Sequence, residues 1–300
     1  MKNFILIALL IPILFISTNA QDKRVNVVIV GSHPDDPDKQ AGGTALEFLK
    51  RGHNVLFVSL TNGDAGHQTL GGVELASRRY AEAQEAGRRF GVEYIVMSNP
   101  DGKLMPTIEI REEIIRIIRQ FKADIVIGHR PNAMHPDRRN SASLLQDAAY
   151  MVIVPNVVPE VPPLDENPLF LYFEDSFKKP NPFQPDIVVD ISESYPQKIY
   201  GMAAHESQFF EWQPWIAKSL DKVPEGEQER LKWLAGMSKS PMSNEKRAKL
   251  IQWYGKERAA SVVATESFEI CEYGKKPTNE EIRLLFPMLV MDSAESKKRK

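Results

Sequence analysis

Cysteine is almost missing from this chain: Cys271 is the one such residue in 300. A lone thiol has no intrachain partner, so no disulfide framework holds the fold, and stability must come from core burial. An excess of basic charge is missing as well. With 38 lysines and arginines against 40 aspartates and glutamates, the formal net charge is −2, which argues against nucleic acid as a partner. Long apolar runs are scarce. The longest, residues 4–16, is shorter than the roughly 20 apolar residues of a comfortable membrane span. It follows Lys2 and leads into Ser17-Thr18-Asn19-Ala20, the layout of a secretory signal peptide over residues 1–20. This reading predicts export, periplasmic or extracellular, with no transmembrane segment after cleavage. No glycine run is followed by Gly-Lys-Ser/Thr, and no serine sits in a Gly-x-Ser-x-Gly elbow. Nucleotide binding and acyl-enzyme hydrolysis therefore lose support.

What is present is a repeated β-α pattern. Short β-branched runs at 25–30, 55–60, 94–97, 124–127 and 187–190 read as strands, and 42–51, 74–90 and 108–121 read as helices. Gly52 and Gly91 stand at the ends of the first two helices, where glycine is favoured. Right-handed crossovers between such units give a Rossmann-like, doubly wound, mostly parallel sheet, whose ligands bind beyond the carboxyl ends of the strands. The expected organisation is a signal peptide over 1–20, one α/β domain over 21–220, and a helical C-terminal extension over 221–300 packed on the same core. The proline-rich stretch 154–185, with aromatics such as Phe170 and Phe183, reads as one wall of the pocket.

Four polar segments fall on that carboxyl rim: 31–38, 61–66, 98–102 and 128–139. The first contains His33-Pro34-Asp35-Asp36, an imidazole and two carboxylates directly after a buried strand. Zinc takes imidazole nitrogen and carboxylate oxygen, and a hydrolytic site keeps a position open for water. With His33 and Asp36 as ligands, Asp35 is left beside the metal to accept a proton from that water. The bland alternative is that both aspartates cap the next helix, although one would suffice. The last segment contains His135-Pro136-Asp137, and a histidine oriented by a carboxylate suits an oxyanion or a leaving amine. His205 reads equally as a structural histidine or as a residue lining the pocket.

Taken in order, His33-Pro34-Asp35-Asp36, Gly42-Gly43, Thr61-Asn62-Gly63-Asp64-Ala65-Gly66, Arg79-Tyr80-Ala81-Glu82 and His135-Pro136-Asp137 resemble the PIG-L or LmbE-like deacetylases. A weaker match continues to His205-Glu206-Ser207-Gln208. The resemblance implies a Rossmann-like fold, zinc or another divalent metal held by His33 and Asp36, Asp35 as general base, and His135 with Asp137 stabilising the tetrahedral intermediate. It further implies substrate contacts from Arg79 and from the loop bearing Asn62 and Asp64, with His205 assigned to the same pocket. The implied reaction is removal of an N-acetyl group from an N-acetylglucosamine-type sugar or glycoconjugate.

Two departures stand out. The family's second motif reads His-Pro-Asp-His, its last histidine being the third zinc ligand, whereas this chain carries Arg138 there. Arginine stays protonated and offers a metal no lone pair. His135 or His129 is then the expected replacement donor. Pro37 stands where the family commonly has glutamate. The competing reading, from the missing ligand, is a metal-free glycan-binding pseudoenzyme of the same fold. Oligomeric state is not encoded in any of these patterns.

Overall fold

The structure is a computed structural model describing residues 24–289. The expected signal peptide and the basic C-terminal tail lie outside the described residues. Seven strands form one sheet: β1 (Asn26–Gly31), β2 (Asn54–Thr61), β3 (Glu93–Asn99), β4 (Ile125–Gly128), β5 (Leu169–Phe173), β6 (Ile187–Asp190) and β7 (Thr265–Ile270), in spatial order β3-β2-β1-β4-β5-β7-β6. The first five pair in parallel, with Val28 opposite both Leu56 and Val126. Side-chain alternation divides β1 between two cores: Val27 and Ile29 face one, Val28 and Val30 the other. Burial on both faces is why the parallel strands read as unbroken apolar runs.

The principal helices are α1 (Asp36–Leu49), α2 (Gly72–Phe90), α3 (Ile108–Gln120), α4 (Pro136–Met151) and α5 (Tyr195–Met202). Their ends follow local chemistry. Gly91 closes α2 at φ +79°, a left-handed conformation that costs glycine least. Thr107 caps α3 by accepting the Ile110 N–H, and Pro136 opens α4 where its missing N–H matters least. Helix α1 starts at Asp36, earlier than the pattern beginning at residue 42 suggests, because Pro37 fits a first turn.

Two strands depart from the sequence expectation. β5 lies inside the proline-rich stretch; its five residues are apolar and aromatic, and the prolines flank it rather than interrupt it. β7 lies in the stretch expected to be helical, running antiparallel between β5 and β6 with Phe268 opposite both Phe173 and Ile187. Glutamates at 266 and 269 disguise it. Glu266 is buried because it pairs with Lys198 at 2.7 Å and accepts the Gly43 and Thr44 N–H groups of α1. The C-terminal segment is thus an integral part of the sheet as well as a helical cover.

Phe268 is fully buried within the larger core. Replacing it by alanine is expected to lower unfolding free energy by about 3–5 kcal/mol, read as a reduced urea midpoint with an unchanged slope. A loss below 1 kcal/mol would show that β7 is dispensable to the sheet.

Candidate metal and catalytic site

Strand order reverses between β1 and β4, since β2 and β3 lie to one side of β1 while β4 and β5 lie to the other. The crevice at such a reversal, beyond the strands' carboxyl ends, is where open α/β sheets place ligands. The loop after β1 delivers Ser32 to Asp35 to this crevice, and the loop after β4 delivers His129 and Arg130. The loop after β3 brings Asp101, and the start of α4 brings His135, Asp137 and Arg138.

His33, Asp101, His135 and Asp137 form the centre of the site. Each offers a ligand atom, and these atoms lie within 4.8 Å of one another. His33 Nε2 is 3.0 Å from Asp101 Oδ1 and 3.4 Å from Asp137 Oδ2, yet makes no hydrogen bond of proper geometry although it is buried. The His135 ring meets the His33 ring edge-on at 4.6 Å. Burial alone would lower the His33 pKa, but pairing with Asp101, Asp137 and Asp36 raises it well above its ordinary value. Burial likewise would raise Asp101, and the contact with His33 outweighs it and holds that carboxyl low. His135 is pushed down by burial and by the charge of His33. Two carboxylates and two imidazoles converging at this range form a donor set suited to a divalent cation.

Asp36 occupies a different position from the one the sequence suggests. Its Oδ2 accepts the backbone N–H groups of Ser32 (3.1 Å) and His33 (3.0 Å) and faces His129 Nε2 at 3.1 Å. Its Oδ1 accepts from Arg138 Nη2 at 2.6 Å. Asp36 is fully buried, and its carboxyl sits well below the usual range: burial opposes this, but the Arg138 charge and His129 prevail. Both oxygens of Asp36 are thus engaged within the protein, and Asp36 is not among the four clustered donors. His129 lies on the same side of the site. It is buried against Asp36 and the Phe173 ring, with its pKa lowered by burial, and it is not among the four clustered donors.

Three further expectations change. Arg79 is 1% exposed and donates to Asp35, so it positions that carboxylate instead of meeting substrate. Gly63, at φ +70°, permits this arrangement: a Cβ there would lie 2.6 Å from Arg79 Nη1. His205 is fully buried and pairs with Asp38 at 3.1 Å, which makes it a structural histidine. Asp137 does not orient the His135 ring, whose Nδ1 is 3.9 Å from its carboxylate and instead accepts the Asp137 N–H. The Asp137 carboxylate accepts from Gly102 and Leu104 N–H at 2.7 and 3.1 Å, so it anchors the loop that carries Asp101.

Asn62 and Asp64 act on that same loop. Asn62 Oδ1 accepts the Asp64 N–H, and Asp64 Oδ1 accepts the Asp101 N–H at 2.8 Å. Asp35 begins α1 without a side-chain capping bond, so capping does not account for it. Asp101 is the member that sequence reasoning passed over. The available signal was a carboxylate just past the end of β3, inside a segment already assigned to the rim.

Fold and site together define a doubly wound α/β protein with a preformed His/Asp cluster at its topological switch point. The family model described as GlcNAc-PI de-N-acetylase, PIG-L, matches residues 28–149. A diacetylchitobiose deacetylase from Thermococcus kodakarensis is 31% identical over 206 residues, covering 63% of this chain and 74% of that one. The chain belongs to the PIG-L deacetylase family. Among solved structures, the N,N'-diacetylchitobiose deacetylase from Pyrococcus horikoshii superposes with a TM-score of 0.61 at 22% identity, covering 85% of this chain and 88% of that one. A 4-carboxy-2-hydroxymuconate hydratase from Pseudomonas putida does so with 0.62 at 16% identity, covering 85% and 98%. One scaffold thus carries two different reactions, so the reaction must be argued from the site.

Removing one partner of a buried ion pair leaves the other charge uncompensated. Asp36→Asn is expected to cost about 3 kcal/mol, the low end for such a pair, because Arg138 keeps 25% of its side chain exposed. A urea titration checks this, and the double variant Asp36→Asn with Arg138→Met should recover part of the loss.

Proposed function

We propose that the protein is a metal-dependent de-N-acetylase that removes the acetyl group from an N-acetylglucosamine-type sugar or glycoconjugate. The observation that carries this reading is the convergence of His33, Asp101, His135 and Asp137, whose ligand atoms lie within 4.8 Å of one another, with His33 Nε2 facing both carboxylates. The donor chemistry fits zinc, which takes imidazole and carboxylate ligands and keeps a position open in hydrolytic sites. His33, Asp101 and Asp137 are the residues that would hold it. When bound, the ion supplies Lewis acidity toward an acyl oxygen and a water of lowered pKa.

The chain's own groups divide the remaining work. Asp35, fixed by the buried Arg79, accepts the proton of the attacking water. His135, the most exposed of the clustered side chains at 34%, faces the acetamido group and relays to the departing nitrogen the proton that Asp35 took from the water. Water adds to the carbonyl, the C–N bond breaks, and acetate and a free amine leave. The preference for an amino-sugar is supported by the relatives, whose names specify acetylated amino-sugar substrates.

One observation favours a second reading. The Arg138 guanidinium supplies a permanent cation to Asp36, the carboxylate that the family resemblance assigns to zinc. On that basis the protein would be a metal-free glycan-binding pseudoenzyme. Elemental analysis separates the two. About one zinc per chain is expected in the wild type, with loss in His33→Ala and Asp101→Asn, alongside acetate release from N-acetylglucosamine derivatives by the wild type alone. No metal in the wild type after incubation with excess zinc would sink the hydrolase reading.

A further inference from the structure

Just past His205 the chain leaves α-helical geometry for a π-helical segment, Ser207–Trp212, followed by a short helix, Gln213–Ile216. π-Helical turns are rare and concentrate at functional sites. This one is pinned to the loop between β2 and α2. Gln208 Nε2 donates to the Gly66 carbonyl at 2.8 Å, and Glu211 meets His67 Nε2 at 2.8 Å and pairs with Arg78. These bonds hold Trp212 at the edge of the His33 cluster. A Cβ on Gly66 would lie 3.2 Å from Asp101 Oδ2 and 3.8 Å from Trp212 Nε1. The indole N–H edge and a carboxylate of the cluster are therefore neighbours across one glycine.

Trp215 extends this contact outward. Its ring stacks on Trp212, with centroids 5.3 Å apart and planes 12° from parallel. Trp212 is half-buried and Trp215 is 50% exposed, whereas Trp253 is 1% exposed in the core. An indole left half in water forgoes part of the stabilisation that burial gives an aromatic ring. Beside Trp215 is an open hollow of about 620 Å³, lined by Trp215, Ile216, Lys218, Leu220 and Asp221. Lys218 and Asp221 are exposed and supply a donor and an acceptor at the margin of the apolar surface. From the hollow to Asp101 the path is two indoles long.

We propose that the Trp212–Trp215 stack is a saccharide platform, which takes the C–H face of the sugar ring adjoining the acetylated one. Ring C–H bonds carry slight positive charge and the indole face is negative, while hydroxyls at the ring edge meet Lys218 and Asp221. A charged margin beside a stacked aromatic pair matches the two surfaces of a sugar ring, and the link through Trp212 to Asp101 places that ring within one chain of the reacting acetyl group. The proposal rests on the deacetylase reading for the position of the acetylated ring.

The test is calorimetric titration of the full chain, in a His33→Ala parent that suppresses hydrolysis, with the β-1,4-linked tetramer of N-acetylglucosamine and with the monosaccharide. Tryptophan emission and sedimentation velocity are recorded on the same samples. The tetramer is expected to bind the parent more tightly than the monosaccharide and to change its emission. Trp215→Ala is expected to weaken tetramer binding roughly three- to tenfold at an unchanged thermal midpoint. Trp215→Phe, which keeps a stacking face, should retain most of the affinity. The control Trp233→Phe, whose ring packs on Phe210, should retain both the affinity and the emission change. Equal tetramer affinity in Trp215→Ala and the parent would overturn the platform, as would tetramer binding no tighter than that of the monosaccharide. A parent dimer that Trp215→Ala dissociates without loss of sugar affinity would assign the patch to a second copy of the chain. Weakened tetramer binding in Trp215→Ala with no acetate release by the wild type would keep the platform and sink the deacetylase reading. Acetate release by the wild type, with tetramer affinity indifferent to Trp215→Ala, would do the reverse.

Discussion

The Asp36 carboxylate is the point through which the site is assembled. It turns the loop after β1 by accepting two of its N–H groups, reaches across the switch point to His129 after β4, and receives Arg138 from the first turn of α4. Three separate chain segments are thereby fixed to one buried charge. A charge held so deeply is tolerated because a guanidinium and two backbone N–H groups compensate it. With Asp36 satisfied, His33 is presented outward to Asp101 and Asp137, and the donor cluster follows from that placement.

The same logic supports the rest of the rim. Asp64 holds the backbone of Asp101, Asp137 holds Gly102 and Leu104, and Arg79 holds Asp35. Each of these carboxylates or guanidinium groups is a residue that sequence patterning would assign to substrate or chemistry. Several of them instead position a neighbour. Such support is what keeps a reacting constellation within the small tolerance that catalysis requires. His205 with Asp38, and Glu82 with Ser207, extend the buried polar layer into the helical cover.

Much of the scaffold was legible in the chain. The five strands read from β-branched runs are present within a residue or two of their expected bounds, and α2 and α3 end where Gly91 and residue 121 suggested. β5 and β7 were not legible, for opposite reasons. β5 is framed by prolines that mimic an irregular segment, while β7 carries glutamates that look solvent-facing until Lys198 and the α1 backbone are brought to Glu266. Local patterning sees neither the flanking context of the first nor the distant partners of the second.

The sequence by itself determined the class of sheet, the family, and the rim on which His33, His135 and Asp137 meet. These depend on short-range periodicity and on motifs whose residues lie close together in the chain. Only the tertiary structure decided which donors face one another. Arg138 carries its charge on a long side chain that spans to Asp36, 102 positions away, and engages that carboxylate, while Asp101 joins the clustered donors. Side-chain reach and the return of β7 to the sheet are distances in space, which order along the chain does not contain.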